Sequence, residues 1–591
     1  MRNKTLMQLL HRLWEHITPR RRGQLGLLFL LMILASIAEV LSIGAVVPFL
    51  GALTAPDRVF LHPIAQPLIQ ALSLTEPRQL LLPLTMVFAI GALLAAVMRI
   101  VLLWSLTRLS HAIGADFSIS IYRRTLYQPF SVHVMRNTSE VIAGISKKTY
   151  VVVNHTIVPV LTICSSIFML VFILLALFII DPIVAVTAFG GFGAIYMMVI
   201  FITKKVLERD SQRVNHGSNK VIKILQEGLG GIRDVLINGV QSSYITSYRN
   251  ADLPLRRAEA NIAIISGFPR FSLESLGMIL IATLAYSLAI GPSGISSAIP
   301  VLGAIALGAQ RLLPVMQQTY ASWSYLIGGR AVLNEALNLL DQPLPCNIDE
   351  PSAEPISFEK NITLTDVAFK YTKDTSWVLQ PNFNLNISKG SCVGLIGTTG
   401  SGKSTLLDII MGLLQPTKGI LSIDDINITE QNTRSWQVHI AHVPQAIFLS
   451  DNTIAENIAF GEHVEHIDRV RVREAAQKAQ ISKTIESWTK QYDTEVGERG
   501  IRLSGGQLQR IGIARALYKK ADVIVLDEAT SALDDRTELD VMKAIENLSD
   551  DLTVIIVAHR LTSLKNCSQI IVLENGRIKQ IGSYENIIGN K

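Results

Sequence analysis

Long apolar segments fill most of the first 340 residues of the chain and constrain its fold more than any other feature. A helix needs about 20 mainly apolar residues to cross the ~30 Å hydrocarbon core of a bilayer. Segments of this length lie at about 25–53, 80–107, 152–180, 183–206, 262–290 and 296–326. The sequence therefore predicts an α-helical, six-span transmembrane domain over residues 1–340, in a chain whose hydrophobic content is 49%.

The N-terminal segment 1–23 is rich in Arg and Lys, and apolar residues recur along it at helical spacing. These apolar residues are Leu6, Leu9, Leu10, Leu13, Trp14 and Ile17. The pattern is typical of a helix that lies on the membrane surface. A secretory signal peptide is the competing interpretation, but the apolar stretch that follows, about Leu25–Leu53, is much too long for the apolar core of a signal.

Positive charge is concentrated in two loops, 108–151 and 204–261, while the alternate connections are tiny, uncharged or nearly balanced. Because cytoplasmic loops of membrane proteins carry the excess of Lys and Arg, both loops and both termini are predicted to be cytoplasmic. Both loops are expected to be helical extensions of the spans. The Lys and Arg residues of these loops account for the net charge of +6, so nucleic acid is not expected as a partner.

Several charged residues lie within the predicted spans: Glu39, Arg99, Arg270, Glu274 and Arg311. A charged side chain at the centre of a span costs about 2.5–3.5 kcal/mol on insertion scales, so such residues face a protein interior or a wet cavity. They can pair with one another or reach the interface, and Glu39 can pair with an arginine. The interpretation we favour is a path for a polar, anionic substrate, with Arg99, Arg270, Arg311 and Glu39 as candidate substrate residues. Pro48, Pro269 and Pro314 offer kinks near these charges.

A glycine-rich motif, GTTGSGKST, opens the second half of the chain after the apolar strand-like run Ser391–Ile396. It comprises Gly397, Thr398, Thr399, Gly400, Ser401, Gly402, Lys403, Ser404 and Thr405. The motif fits the G-x-x-x-x-G-K-[ST] pattern, in which glycines let several N–H groups point at one anion ahead of a helix N-terminus. Lys403 can reach the β- and γ-phosphates, and the Ser404 hydroxyl can ligate Mg²⁺. The sequence therefore predicts a nucleoside triphosphate site.

A linker rich in proline and acidic residues, 341–355, precedes a soluble α/β domain over residues 356–591. The apolar run Ala521–Leu526 is typical of a central parallel strand and ends at Asp527 and Glu528. Phosphoryl transfer requires one acid to hold Mg²⁺ and a second carboxylate to orient or deprotonate water. A second such strand, Thr553–Val557, leads to His559, which can contact a γ-phosphate.

Two other observations complete the residue-level interpretation. Tyr371 precedes the phosphate loop, where an aromatic ring can stack on adenine, although a strand-end tyrosine of purely structural role remains the alternative. The cysteines Cys164, Cys346, Cys392 and Cys567 show no paired or metal-type spacing. Cys392 is expected to be a buried thiol beside the phosphate loop, in a reducing cytoplasm.

Taken together, these motifs resemble those of the ATP-binding cassette (ABC) transporter family. The segment LSGGQ at Leu503–Gln507 is similar to the family signature, HVPQ places Gln445 in its Q-loop, and SALD at Ser531–Asp534 matches its D-loop. The segment TEVGERG at Thr494–Gly500 resembles the loop that exporters of this family place against the membrane domain. Six spans ahead of one cassette resemble the half-transporter layout of the exporter type.

The resemblance implies roles at individual positions. Tyr371 would stack on adenine, the 397–405 loop would hold the phosphates, and Ser404, Gln445 and Asp527 would serve Mg²⁺. Glu528 would be the catalytic base and His559 the γ-phosphate switch, with Gln445 also in the catalytic set. Ser504, Gly505, Gly506 and Gln507 would close on the γ-phosphate bound by the opposite chain. A chain with one copy of each part must dimerise, and a homodimer is favoured over a heterodimer.

The membrane half resembles, more loosely, the bacterial lipid-linked oligosaccharide flippases of the protein-glycosylation type. The resemblance is carried by IAEVLSIGAVVPF at Ile37–Phe49, FPRFSLESLG at Phe268–Gly277 and QRLLP at Gln310–Pro314. It implies an ATP-driven exporter or flippase for an anionic lipid-linked glycan or related glycolipid in the bacterial inner membrane. Multidrug, lipid or peptide export is the alternative. A nucleotide-gated channel or regulatory subunit is disfavoured by the intact Glu528, and a soluble ATPase by the spans.

Overall fold

The computed structural model divides into two units, one helical and one of α/β type. The residues it describes are 5–54, 56–62, 66–72, 74–136, 141–142, 144–180, 182–290, 312–344, 354–372, 374–530, 533–546, 551–558 and 560–587. The helical unit comprises Met1–Gln128 and Arg136–Leu344, and the α/β unit comprises Pro129–Met135 and Pro345–Lys591. The fold class predicted from the sequence, a helical membrane part fused to a P-loop α/β part, is confirmed.

The first unit is built of helices. The helices from residue 6 to residue 340 follow here in chain order, and one of them, the short α7, belongs to the second unit. They are α1 (Leu6–Glu15), α2 (Pro19–Gly44), α3 (Val46–Thr54), α4 (Pro56–Phe60), α5 (Gln66–Ala71), α6 (Leu81–Leu126), α7 (Phe130–Met135), α8 (Thr149–Val152), α9 (Val158–Ile180), α10 (Pro182–Gly230), α11 (Ile232–Ile237), α12 (Gln241–Ile290), α13 (312–328) and α14 (Arg330–Leu340). A 3-10 turn, Pro77–Leu80, precedes α6, and π-helical turns at Gly144–Lys148 and Val153–Ile157 flank α8.

Three described segments are long and apolar enough to cross a bilayer: Pro19–Ser42, Pro77–Leu126 and Thr149–Ala176. They overlap the first three predicted spans, and the first of them ends at Ser42 rather than near residue 53. The next two predicted spans fall within α10 and α12, which continue through the basic loop as expected. For the sixth, 296–311 lies outside the described residues and α13 continues from 312.

A proline explains why the first apolar segment contains two helices. Pro48 has no N–H to donate to the carbonyl of Gly44, and α2 ends at Gly44 while α3 begins at Val46. A break between two helices therefore lies beside Pro48. Helix α12, by contrast, runs through Pro269 without a break in its secondary structure.

The N-terminal helix α1 has the amphipathic character that the sequence predicts. Leu9 and Leu13 are buried in the helical unit, whereas Met7 is 76% exposed. On the polar side, the Arg12 guanidinium and the His16 imidazole (Nε2 to Oδ1, 2.8 Å) both contact the Asp341 carboxylate just after α14. Hydrophobic burial and these ionic contacts together hold α1 against the unit.

The α/β unit contains two sheets. Its strands are β1 (Asn361–Phe369), β2 (Leu379–Ser388), β3 (Cys392–Gly397), β4 (Lys418–Ile423), β5 (Ile426–Asn427), β6 (Ile440–Val443), β7 (Val523–Asp527), β8 (Thr553–Val557), β9 (Gln569–Glu574) and β10 (Arg577–Gly582). The smaller, antiparallel sheet has the order β2-β1-β4-β5, and the larger has the order β10-β9-β3-β8-β7-β6. All pairs of the larger sheet are parallel except β9–β10.

Helices cover these sheets, and two hydrophobic clusters share the strands of the larger one. The helices are α15 (Lys403–Ile410), α16 (Thr433–Gln437), α17 (Ile454–Ile458), α18 (Arg469–Lys478), α19 (Ser482–Glu486), α20 (Gly505–Lys519), α21 (Asp535–Glu546) and α22 (Tyr584–Ile587). Successive residues of β7 alternate between the clusters, with Ile524 in one and Val525 in the other. This burial of β7 on both faces explains why its residues form a continuous apolar run in the sequence.

Candidate nucleotide site

The phosphate-loop motif lies between β3 and α15, at the carboxyl end of a central parallel strand. This end of a parallel sheet is where ligands of α/β proteins bind. The Lys403 ammonium donates to the carbonyls of Gly397 (2.8 Å) and Thr398 (3.1 Å), so its charge lies over the loop. Ser404 is exposed in the first turn of α15, while Thr405 is buried. Gly402 caps α15 with a left-handed φ of 101°.

Two glycines of the loop are required by packing. A Cβ at Gly397 would lie 2.3 Å from the Leu573 carbonyl oxygen and 2.7 Å from Ser401 Oγ. A Cβ at Gly402 would lie 3.0 Å from Leu379 Cδ2, in a conformation that L residues rarely adopt. The loop is held further by the Gly576 N–H, which donates to the Ser401 carbonyl at 3.1 Å. The tight backbone thus suits close approach by a phosphate.

The acidic pair lies at the end of β7. Asp527 is the last residue of the strand, and Glu528 follows in a left-handed conformation with φ 52°. The Glu528 N–H donates to the Val557 carbonyl at 3.0 Å, which fixes the pair against β8. Burial raises the pKa of Asp527, the neighbouring Glu528 charge raises it further, and the Lys403 ammonium opposes both effects. A carboxylate in this environment is suited to a cation.

Gln445 reaches the acidic pair from the neighbouring strand. It lies two residues beyond the end of β6, and its Nε2 donates to Glu528 Oε2 at 2.5 Å. Strands β6 and β7 are adjacent and parallel, so their carboxyl ends bring these side chains together. Two segments that are distant in sequence, those after β6 and β7, thus form one polar edge beyond the sheet.

Tyr371 lies just after β1. Its ring contacts Phe369 edge-on at 5.0 Å between centroids, and its hydroxyl is 3.3 Å from Thr405 Oγ1. With 39% of the residue exposed, the ring is anchored on one side and accessible on the other. The contact with Thr405 places the aromatic residue beside the helix that follows the phosphate loop.

The LSGGQ segment forms the start of α20. Ser504 caps the helix: its Oγ accepts from the Gln507 N–H at 3.3 Å, and the Gln507 side chain accepts from the Ser504 N–H at 2.8 Å. Gly505 and Gly506 supply first-turn N–H groups, which have no carbonyl partner within the helix. Among the described residues, no hydrogen bond or ion pair joins 504–507 to the 397–405 loop. The reciprocal cap of Ser504 and Gln507 matches the Ser-x-x-Gln spacing of a capping box, so the sequence does carry a signal for it.

Asp408 is a polar residue of the site that the sequence reasoning missed. It lies on α15, and burial together with the charge of Asp527 raises its pKa to about 6. The available signal was an aspartate within the apolar run Leu406–Leu414 that follows the loop. His559 and Ser531 lie outside the described residues.

The charged residues of the membrane spans divide into two groups. Arg99 on α6 forms an ion pair with Glu39 on α2, and the Glu39 side chain is fully buried while that of Arg99 is 39% exposed. This pairing is one of the alternatives that the sequence left open. Arg311 lies outside the described residues, and so does the side chain of Arg270, whose backbone is within α12.

Comparisons with known proteins match both halves of the chain. The family model described as the ABC transporter transmembrane region matches residues 24–294, and the one described as ABC transporter matches residues 381–531. The ATP-dependent lipid A-core flippase of Chromohalobacter salexigens is 32% identical over 393 residues, which are 66% of this chain and 67% of that protein. The flippase of the same description from Legionella pneumophila is 32% identical over 396 residues, 66% of each protein.

A solved structure extends the likeness to the whole fold. The structure of a bacterial Atm1-family ABC exporter with ATP bound superimposes with a TM-score of 0.78 at 23% identity. The alignment covers 97% of this chain and 96% of the exporter chain. The likeness to the flippases extends over about two thirds of their length.

Membrane-spanning helices joined to a nucleotide-binding α/β unit define an integral membrane transporter that binds and hydrolyses ATP. The chain belongs to the ABC transporter family, and it has the half-transporter fold of an ABC exporter.

Proposed function

We propose that the chain is an ATP-driven flippase for an anionic lipid-linked glycan or related glycolipid, and that it works as a homodimer. The observation that carries this proposal is the likeness to lipid A-core flippases, which are named for moving a glycolipid. Within this proposal the chain lies in the bacterial inner membrane with both termini in the cytoplasm. The basic loops 108–151 and 204–261 support that orientation.

The roles proposed at the nucleotide site rest on the motif match, and the geometry above supports those of the described residues. The 397–405 loop and Lys403 would hold the phosphates, and Tyr371 would support the adenine. Glu528 would act as the base toward water, oriented by Gln445, and His559 would contact the γ-phosphate. A base held by a neighbouring amide needs little rearrangement during the reaction.

Mg²⁺ would be held by Ser404, Gln445 and Asp527. A hydroxyl, an amide oxygen and a carboxylate are hard oxygen ligands of the kind Mg²⁺ prefers. Because Gln445 donates through Nε2, its Oε1 can face a metal ion, and the crowded carboxylates at 527–528 favour a cation. When bound, Mg²⁺ neutralises phosphate charge.

Dimerisation is proposed from the separation of the signature from the phosphate loop. Ser504, Gly505, Gly506 and Gln507 would close on the site of the second chain. First-turn N–H groups at the start of α20 are suited to a phosphate, since a helix N-terminus favours negative charge. Two equivalent sites would result, because every site position matches the family consensus.

The proposed substrate residues are Arg270 and Arg311, with Arg99 and Glu39 as further candidates. Guanidinium groups bind pyrophosphate through paired, charge-assisted hydrogen bonds. Arg99 is half-exposed although it pairs with Glu39, so a substrate would have to compete with that carboxylate.

The test is ATPase activity of the purified chain in lipid nanodiscs, with a polyprenyl-pyrophosphate glycan or a lipid A-type glycolipid added. Glu528→Gln serves as the blank. Stimulation by either lipid, lost on Arg270→Ala and Arg311→Ala while basal hydrolysis persists, supports the proposal. Basal hydrolysis without stimulation by either lipid rejects the substrate and favours drug or peptide export. Absence of basal hydrolysis argues against a homodimer.

A further inference from the structure

Two cysteines that are 175 positions apart in sequence meet in the α/β unit. Cys392 Sγ and Cys567 Sγ are 3.0 Å apart. Cys392 is the first residue of β3 and is partly buried, whereas Cys567 precedes β9 and is 6% exposed. The spacing of the cysteines in the sequence gives no sign of this contact, which depends on the pairing of β3 with β9.

The backbone fixes the two thiols in this position. Strands β3 and β9 are paired in parallel, with Val393 opposite Gln569. The Ser568 N–H and hydroxyl both donate to the Cys392 carbonyl, at 2.9 and 3.0 Å. The Cys567 N–H donates to the Leu564 carbonyl at 3.0 Å. The sulfur–sulfur contact is therefore anchored by hydrogen bonds on both sides.

We propose that Cys392 and Cys567 are a redox modification site, at which a low-molecular-mass disulfide such as oxidised glutathione produces an intramolecular disulfide. A disulfide bond is about 2.05 Å long, so the sulfur atoms need to approach by about 1 Å. Rotation of the two cysteine side chains would supply this movement while β3 and β9 stay paired.

The reaction is a two-step thiol–disulfide exchange. The Cys392 thiolate attacks oxidised glutathione, which forms a mixed disulfide and releases one glutathione thiolate. The Cys567 thiolate then attacks Cys392 Sγ and releases the second glutathione. Two electrons pass from the protein to the oxidant, and the two thiol protons go to solvent and the leaving thiolates. Cys392 reacts first because it is the more exposed of the two.

The disulfide would reinforce contacts that already exist. The side chain of Leu564 packs so closely on Gly394 that a Cβ there would be 2.8 Å from Leu564 Cδ2. The bond would join the strand that leads to the phosphate loop with the segment that follows the 3-10 turn Leu561–Leu564. It would also close a long loop in the unfolded chain, which lowers the entropy of unfolding. Oxidation is therefore expected to stabilise the α/β unit rather than distort it.

The experiment uses the full chain in lipid nanodiscs, equilibrated with glutathione buffers from fully reduced to fully oxidised. After an acid quench and alkylation with N-ethylmaleimide, non-reducing peptide mapping locates the modified thiols. We expect one joined peptide pair containing Cys392 and Cys567, two hydrogen atoms lighter than the separate peptides. The unfolding midpoint of the α/β unit should rise by about 5 °C and return on addition of dithiothreitol.

Cys164→Ser is the matched control, because Cys164 lies on α9 in the helical unit. It should leave both the joined peptide and the shift in the midpoint unchanged. Cys567→Ser should abolish both and leave glutathione on Cys392. The mapping of the unaltered chain decides the matter without any variant. If oxidised glutathione yields only the mixed disulfide at Cys392, or leaves both thiols alkylated, the proposal is overturned.

Discussion

Gln445 Nε2 donates a 2.5 Å hydrogen bond to Glu528 Oε2, across the carboxyl ends of the adjacent strands β6 and β7. The contact joins the residue that follows one strand to the carboxylate that follows another. It orients the Glu528 carboxylate, which we propose as the base toward water. The two residues therefore act as a unit, and their substitutions should not be additive.

Replacing Glu528 by Gln should remove the proposed base while preserving the shape of the site. Steady-state ATP hydrolysis should fall at least about 100-fold, since general bases contribute factors of about 10² to 10⁴. Binding of a fluorescent ATP analogue should stay within about threefold of the parent. Glu585→Gln, on the short C-terminal α22, is a matched control that should leave hydrolysis unchanged. Hydrolysis retained in Glu528→Gln would contradict the assigned role.

The two left-handed glycines of the phosphate loop should respond differently to alanine. At Gly402, φ is 101° and a Cβ would be 3.0 Å from Leu379 Cδ2, so Gly402→Ala should cost about 2–3 kcal/mol and weaken ATP binding. At Gly400, φ is 81° but no atom lies within 4 Å of the added Cβ, so Gly400→Ala should cost about 1–2 kcal/mol. Thermal unfolding without nucleotide measures the difference. Equal destabilisation by both substitutions would show that packing against Leu379 is unimportant.

The local parts of the site could be predicted from the sequence because a motif fixes its own neighbourhood. The spacing of residues 397–405 implies the tight turn, the Lys403 ammonium and the helix that follows. The apolar run before Asp527 implies a buried strand. The Gln445–Glu528 bond could not be predicted from spacing, because it depends on β6 lying beside β7. The Glu39–Arg99 and Cys392–Cys567 contacts likewise depend on tertiary packing between distant segments.

Asp408 should make the stability of the α/β unit depend on pH. Its pKa in the folded chain is about 6, above the ordinary 3.8, so the folded state holds the proton more tightly. Stability should therefore fall as pH rises from about 4 to 6, and the penalty should persist above that range. Asp408→Asn should raise the unfolding free energy by about 1–2 kcal/mol at pH 7.5, once screening of the half-buried carboxyl is included, and by much less at pH 4.5.

Asp425→Asn, in an exposed turn, is the control for the Asp408 substitution. Its effect on the unfolding midpoint should be small and similar at both pH values. The measurements are made without nucleotide or Mg²⁺, whose charges would alter the balance at Asp527. If Asp408→Asn raises the unfolding free energy as much at pH 4.5 as at pH 7.5, hydrogen bonding or packing, rather than carboxyl ionisation, causes the effect.

The Glu39–Arg99 pair lends itself to a double-mutant cycle that separates stability from substrate recognition. The Glu39 side chain is fully buried. Arg99→Met removes the guanidinium that pairs with the Glu39 carboxylate, so it should destabilise the helical unit by about 2–4 kcal/mol. Adding Glu39→Gln removes that charge and should recover at least half of the loss. Thermal unfolding in nanodiscs gives the coupling energy. If the pair is structural, the double variant should keep its lipid-stimulated ATPase activity. Loss of stimulation in a stable double variant would place the Glu39–Arg99 pair on the substrate path.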